Sequence, residues 1–158
     1  MKAPTLTEFN SRTEPEIRTL LNGCVRIRSW VDDIVAGRPY GSRRALLAKA
    51  SSSAATWADP DVDTALADHP RIGDTPTHIS RREQAGVSED TAERFALANE
   101  RYEQRFGRIF LVRATDRTGE ELLDLLEHRL ENEPDVEREI TRHQLAEIAL
   151  LRLQEAIR

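Results

Sequence analysis

The sequence predicts an all-α fold, a single-domain compact helical bundle over residues 1–158 with a short extended connector near 108–114. Three observations lead there. Apolar residues recur at three- and four-residue steps through most of the chain, and start and stop signals for helices punctuate those runs. The only consecutive apolar run with a β-leaning composition is Ile109-Phe110-Leu111-Val112, and no second strand is present to pair with it. The 158 residues, 39% hydrophobic and 32% charged, suit one globular core rather than disorder.

In order, Met1 to Arg12, with Pro4, Leu6 and Phe9, reads as a short arm lying on the body. Thr13 can cap a helix with Pro15 at an early position, and Ile17, Leu20, Leu21, Cys24, Ile27, Trp30, Val31 and Ile34 line one buried face. Cys24 falls on that face, which favours a packed thiol over a nucleophile. Gly37, Pro39 and Gly41 make a turn. Ser42 then caps a helix carrying Leu46, Leu47, Ala50, Ala54 and Trp57, with both tryptophans in the core. Asp59, Asp61, Asp63 and Asp68 surround the apolar Val62, Ala65 and Leu66. The calcium-loop glycine and terminal glutamate are missing, so capping and solvation are the expectation.

Ser88 caps a helix through Ala92, Phe95, Ala98, Tyr102 and Phe106 that stops at Gly107, a residue suited to a left-handed cap. The connector follows. Its main-chain donors and acceptors have no ladder, so either a polar ligand or neighbouring loops must satisfy them. Thr118-Gly119-Glu120-Glu121 is a capping box opening a helix faced by Leu122, Leu123, Leu125, Leu126 and Leu130. Asn132 and Pro134 break it, and a last long helix runs from Pro134 with Val136, Ile140, Ile148, Leu151 and Ala149 or Leu153 directed inward. Its charges read as a solvated face.

Chemistry concentrates between Asp68 and Val87, where two histidines, a proline corner, a glycine and a carboxylate interrupt ordinary amphipathic helix. Pro70 disfavours helical dihedrals at His69 and holds that side chain at an element boundary. Gly73 lets the backbone bend, and Pro76 keeps the loop from becoming helix. Ser80-Arg81-Arg82-Glu83 fits a capping box, so Glu83 has a plain capping role open to it beside a chemical one.

The net charge of -5 with arginines scattered among acids leaves no basic stripe, which argues against nucleic acid. No apolar run approaches a bilayer span, which argues against membrane. A lone cysteine forms no internal disulfide, and no leader pattern precedes the first helix, so the cytoplasm is the expected compartment.

Four separated motifs then carry a resemblance: His69-Pro70-Arg71-Ile72-Gly73, Ser80-x-x-Glu83-Gln84-Ala85-Gly86, Phe106-Gly107-x-Ile109-Phe110-Leu111-Val112-x-Ala114-Thr115 and Leu151-Arg152-Leu153. With Phe9-Asn10, Trp30, Arg38-Pro39-Tyr40 and Leu46-Leu47, the chain resembles OHCU decarboxylase over essentially its full length. That family acts on 2-oxo-4-hydroxy-4-carboxy-5-ureidoimidazoline in urate breakdown. The resemblance implies a helical enzyme that releases carbon dioxide and protonates the product to (S)-allantoin without cofactor or metal. It matches His69 to the catalytic histidine, Glu83 to a functional glutamate and Pro70 to a substrate contact. Ser80, Arg81, Arg82, Glu83 and Gln84 fall in a binding segment; Ile109, Phe110, Leu111, Val112 and Arg113 form a backbone-rich binding stretch; Arg152 matches a substrate arginine. The partner is thus a small ureidoimidazoline, with a homodimer and association with other urate-pathway enzymes as further expectations.

The chain departs from the family pattern at Arg113, where many relatives have cysteine, and at Gln144 and Glu147, where an acid and a lysine are usual. Two other functions compete. A metal-dependent hydrolase would draw ligands from His69, Asp74, His78 and Glu83, at a spacing matching no strong template. A non-catalytic helical binding or scaffold module descended from the enzyme would tolerate the altered surface.

Overall fold

The computed structural model describes residues 2–69, 89–113 and 116–158. These contain α1 (Leu6–Ser11), α2 (Glu14–Asn22), α3 (Arg28–Ala36), α4 (Arg43–Ala54), α5 (Asp59–Ala67), α6 (Glu89–Phe106), α7 (Gly119–Leu130) and α8 (Pro134–Ala156). Among the described residues there is no strand, and the fold class is all-α as the periodicity predicts. The chain divides into two compact units, Met1–Ala65 with Leu145–Arg158, and Leu66–Gln144.

In the first unit the expected N-terminal arm is instead a helix. Thr5 Oγ1 accepts the Glu8 N–H at 3.2 Å while the Glu8 carboxylate accepts the Thr5 N–H at 2.8 Å, and this reciprocal cap starts α1 with Phe9 fully buried. Thr13 and Glu16 cap α2 in the same way. The apolar pattern from Ile17 to Ile34 predicts one helix, yet the chain breaks between Asn22 and Arg28. Gly23 closes α2, its N–H shared between the Thr19 and Leu20 carbonyls, and the non-helical Cys24, Val25 and Ile27 remain buried. The hydrophobic face therefore continues across a break that periodicity alone does not reveal.

The residues after α3 are held by α1. Asn10 Nδ2 donates to the Tyr40 carbonyl at 2.9 Å and its Oδ1 accepts the Tyr40 N–H at 2.8 Å. The Arg38 guanidinium donates to the carbonyls of Phe9 and Arg12 at 2.9 and 2.8 Å. Ser42 caps α4 through the Ala45 N–H at 3.0 Å, and Trp30 Nε1 on α3 donates to the Ala50 carbonyl at 3.0 Å. Trp57 lies past the end of α4 rather than on it, meeting Trp30 edge-on at 6.3 Å between ring centres. Both tryptophans are core. The aspartate-rich stretch is α5, with Asp59 and Asp61 in its first turn and Val62, Ala65 and Leu66 buried.

The second unit packs α6 against α7 around Phe95, Ala98, Tyr102, Phe110, Val112, Leu122, Leu123 and Leu126. Ala92, in the first turns of α6, is exposed. Ser88 lies outside the described residues. Gly107 ends α6 with φ of 73°, the left-handed conformation that a Cβ disfavours. Thr118 accepts the Glu121 N–H at 3.1 Å, which makes the N-cap of α7 and the forward half of the expected capping box; among the described residues the return bond from Glu121 to the Thr118 N–H is not made. Residues 109–113 have no regular secondary structure, as the connector reading expects.

The inward stripe of α8 differs from expectation. Val136 is 51% exposed, whereas Glu137 and Thr141 are fully buried and Leu145, Ala149 and Leu153 continue the same four-residue ridge. Ile140, Ile148 and Leu151 are half-buried beside it. A carboxylate sits where a hydrophobic pattern would place an aliphatic residue, and only a partnered charge is tolerated there. Among the described residues no helix is long and apolar enough to cross a membrane.

Candidate functional site

His69 follows the last turn of α5, where its N–H donates to the Leu66 carbonyl at 3.0 Å. That bond fixes the backbone at the helix end, and the residue is half-buried. Pro70, Ser80, Arg81, Arg82, Glu83 and Gln84 lie outside the described residues, as do Asp74 and His78 of the competing metal set. His69 and the connector belong to the same unit, and Arg152 to the other.

Of the connector expected near 108–114, residues 108–113 are described and Ala114 lies outside the described residues. Phe110, Leu111 and Val112 are buried, Ile109 is half-buried and Arg113 is exposed. Its main-chain groups find partners that are neither loops nor ladder. The Leu111 carbonyl accepts from Arg129 Nη1 on α7 at 2.6 Å, and the Arg113 N–H donates to Gln144 Oε1 on α8 at 2.8 Å.

Arg129 is itself held from several directions. Its Nε donates to Glu137 Oε1 at 2.7 Å, its Nη2 reaches Thr141 Oγ1 at 3.2 Å, and the guanidinium lies 4.7 Å from the centre of the Phe110 ring. Tyr102 donates its hydroxyl to Glu137 Oε1, and Asn132 Nδ2 donates to Glu137 Oε2 at 3.1 Å. Burial, reinforced by that bond to a carboxylate, pushes the Tyr102 hydroxyl up to about 12, so it stays a donor. The network is a charged pair inside an otherwise apolar core, with every partner aimed.

Sequence reasoning misses this network. The readable signal is spacing: Arg129 falls three residues past Leu126 and seven past Leu122, on the buried face of α7, and Glu137 stands four before Thr141 and eight before Leu145. A long side chain in register with an apolar stripe can be read as a buried ion as well as a solvated one.

In the first unit, Arg152 is half-buried and its Nη1 donates to the Cys24 carbonyl at 3.2 Å. Burial pushes the Cys24 thiol up to about 11, opposed only in part by the Arg152 charge. Its Sγ sits 3.6 Å from the Leu20 carbonyl. A protonated, enclosed thiol is not a nucleophile, which agrees with the packed-thiol reading.

A family model described as OHCU decarboxylase matches residues 10–154. The chain belongs to that family. It is 29% identical over 161 residues to the uric acid degradation bifunctional protein of Bacillus sp. (strain TB-90), an alignment covering 97% of this chain and 32% of that protein. It is 37% identical over 101 residues to the uric acid degradation bifunctional protein TTL of Arabidopsis thaliana, covering 56% of this chain and 31% of that one. The chain thus spans about a third of the length of these curated relatives. Among solved structures it is similar to OHCU decarboxylase in the presence of (S)-allantoin, with a TM-score of 0.76 and 27% identity over 85% of this chain and 94% of that chain.

Family membership gives the early markers a physical meaning. Phe9, Asn10, Trp30, Arg38, Tyr40 and Leu46 are buried or bonded within the first unit and act through architecture.

Proposed function

We propose that this chain decarboxylates 2-oxo-4-hydroxy-4-carboxy-5-ureidoimidazoline to (S)-allantoin without a cofactor, and that residues 1–158 act as one OHCU decarboxylase-like domain. The observation that carries the proposal is the family match over residues 10–154, supported by the structural likeness to a decarboxylase solved with (S)-allantoin.

The chemistry asks little of the protein beyond holding and proton delivery. Loss of carbon dioxide leaves an electron pair on carbon, and the adjacent carbonyl and imine-type groups of the substrate delocalise it. The proton is the remaining problem. His69, whose imidazole suits general acid or base work near neutrality, assists loss of the substrate proton or donates to the carbanionic carbon, a role worth about 10²- to 10⁴-fold. Its placement at the end of α5 before Pro70 decides which face is protonated.

Glu83 accepts hydrogen bonds from ureido or ring N–H groups and favours the charged form of His69. Gln84 offers donor and acceptor together, as a urea-like group requires. Pro70, Ser80, Arg81 and Arg82 line the ligand, the main chain of Ile109–Arg113 binds its polar edge, and Arg152 meets its negative charge. Orientation and partial desolvation of the departing carboxylate lower the barrier further. The chain works in the cytoplasm, as a homodimer, beside other urate-pathway enzymes.

The test uses enzymatically generated urate-oxidation intermediates, followed by circular dichroism as allantoin forms. The wild-type chain accelerates formation and gives the S enantiomer in excess, and His69→Asn retains the fold and loses the acceleration. Allantoin formed no faster, and with no greater enantiomeric excess, than without protein would leave the scaffold reading in place. Sedimentation velocity tests the homodimer.

A further inference from the structure

The connector is tied by two side chains, and the pattern of the ties says which of its main-chain groups a ligand can use. In an extended chain, the main-chain groups of residues two apart face one side, and those of the residue between face the other. Leu111 and Arg113 are two apart. The carbonyl of the first and the N–H of the second are the groups that Arg129 and Gln144 take, at 2.6 and 2.8 Å. Among the described residues, no other hydrogen bond is made to the main chain of Ile109–Arg113.

We propose that Gln144 and Arg129 are positioning residues that clamp the connector, so that the main-chain groups these ties leave open, those of Phe110 and Val112 among them, stand fixed for the ureido group of the substrate. The proposal rests on the decarboxylase reading above. Arg129 cannot drift, because Glu137 and Thr141 hold its other nitrogens and Phe110 lies under its plane. Gln144 supplies the second point from a different helix, and its bond is the more separable of the two because the residue is only half-buried. Two fixed points on a segment without secondary structure do for it what a neighbouring strand would do. A planar ureido group carries N–H donors and a carbonyl acceptor in one plane, and matching them needs main-chain partners at a fixed spacing.

Gln144 gives the clean experiment. Gln144→Ala removes the acceptor from the Arg113 N–H at a helical position where alanine is favourable, and Gln144→Glu keeps an acceptor at the same place. Three quantities are measured on wild type and both variants: KM and kcat for the urate-derived substrate, the exchange rate of the Arg113 amide, and Tm. The expected result for Gln144→Ala is an unchanged Tm, faster Arg113 exchange and a KM raised about tenfold with kcat less affected, the loss expected of one well-placed main-chain contact. Gln144→Glu restores both exchange protection and KM. An active wild type whose Gln144→Ala variant exchanges faster at Arg113 but keeps its KM overturns the clamp alone. A wild type without activity overturns the decarboxylase reading and the clamp with it, so the two failures are told apart by the first measurement.

Discussion

Removing the Glu137 carboxylate is the sharpest probe of how the second unit is held together. Glu137 is fully buried and takes bonds from Arg129 Nε, the Tyr102 hydroxyl and Asn132 Nδ2, while Arg129 is 6% exposed. Glu137→Ala leaves a guanidinium in the core with only Thr141 and the Leu111 carbonyl for partners. Breaking one side of a buried pair costs about 3–5 kcal/mol, because the surviving charge keeps its desolvation penalty without its attraction. For a chain of this size each kcal/mol lowers Tm by about 2–4 °C, so the loss is about 6–20 °C. Urea unfolding at pH 7 followed by far-UV circular dichroism gives the free energy directly.

The double variant Arg129→Met with Glu137→Leu separates charge from packing. Replacing both ions by apolar residues of similar volume removes the penalty, so most of the lost stability returns. It does not return the bond to the Leu111 carbonyl, and the double variant therefore folds well and binds substrate less tightly. A single variant costing under about 1 kcal/mol, or a double variant as unstable as the single, would refute the account of Arg129 and Glu137 as a mutually dependent buried pair.

Three further outcomes are expected. Cys24 is an acid held protonated by burial, its value moved from 9.0 to about 11, so the unfolded chain loses this proton first. Its contribution is complete below about pH 9 and is lost as pH rises through about 11, and Tyr102 adds a similar loss toward about 12. Urea midpoints therefore fall between pH 8 and pH 10.5, less steeply in Cys24→Ala; identical slopes would count against the thiol. Gly37→Ala places a Cβ 2.9 Å from Tyr40 Cζ, on a ring whose hydroxyl donates to the Ile34 carbonyl at 2.7 Å. It should cost about 1–3 kcal/mol by thermal unfolding, as overpacking does. Gly107→Ala meets open space but adopts φ of 73°, and a loss of about 1–2 kcal/mol should come from backbone strain alone, largely spared in Gly107→Asn.

Helix type and caps were readable because they depend on neighbours within four residues. Thr13, Ser42 and Thr118 all cap where their side chains can reach an orphan N–H. Thr5 with Glu8 is the same signal, easily passed over because the helix it starts is only six residues long. The break at Gly23 was not legible, since buried residues keep the apolar period going through a non-helical corner. The buried face of α8 escapes the sequence pattern for a related reason. Hydrophobic periodicity weighs Val136 and ignores Glu137, although the second is the buried one. Whether a carboxylate is solvated or paired depends on Arg129, eight residues earlier but on another helix, and a helical period does not carry across the break between Leu130 and Pro134. Of the candidate site, the sequence placed His69 at an element boundary, and the bond from its N–H to Leu66 agrees with that.

The connector shows why an unpaired backbone is a better guide to function than an unusual side chain. Four apolar residues without a partner strand pose a question of satisfaction, and neighbouring loops or a ligand are the obvious answers. Arg129 and Gln144 supply another answer for two groups of the segment. The tie from α8 is made by Gln144, an amide. At 2.8 Å from the Arg113 N–H its carbonyl oxygen needs only a lone pair, which an amide provides as well as a carboxylate does. An amide supplies the acceptor without a charge, and at a half-buried position beside an apolar connector the absence of a charge avoids a desolvation cost.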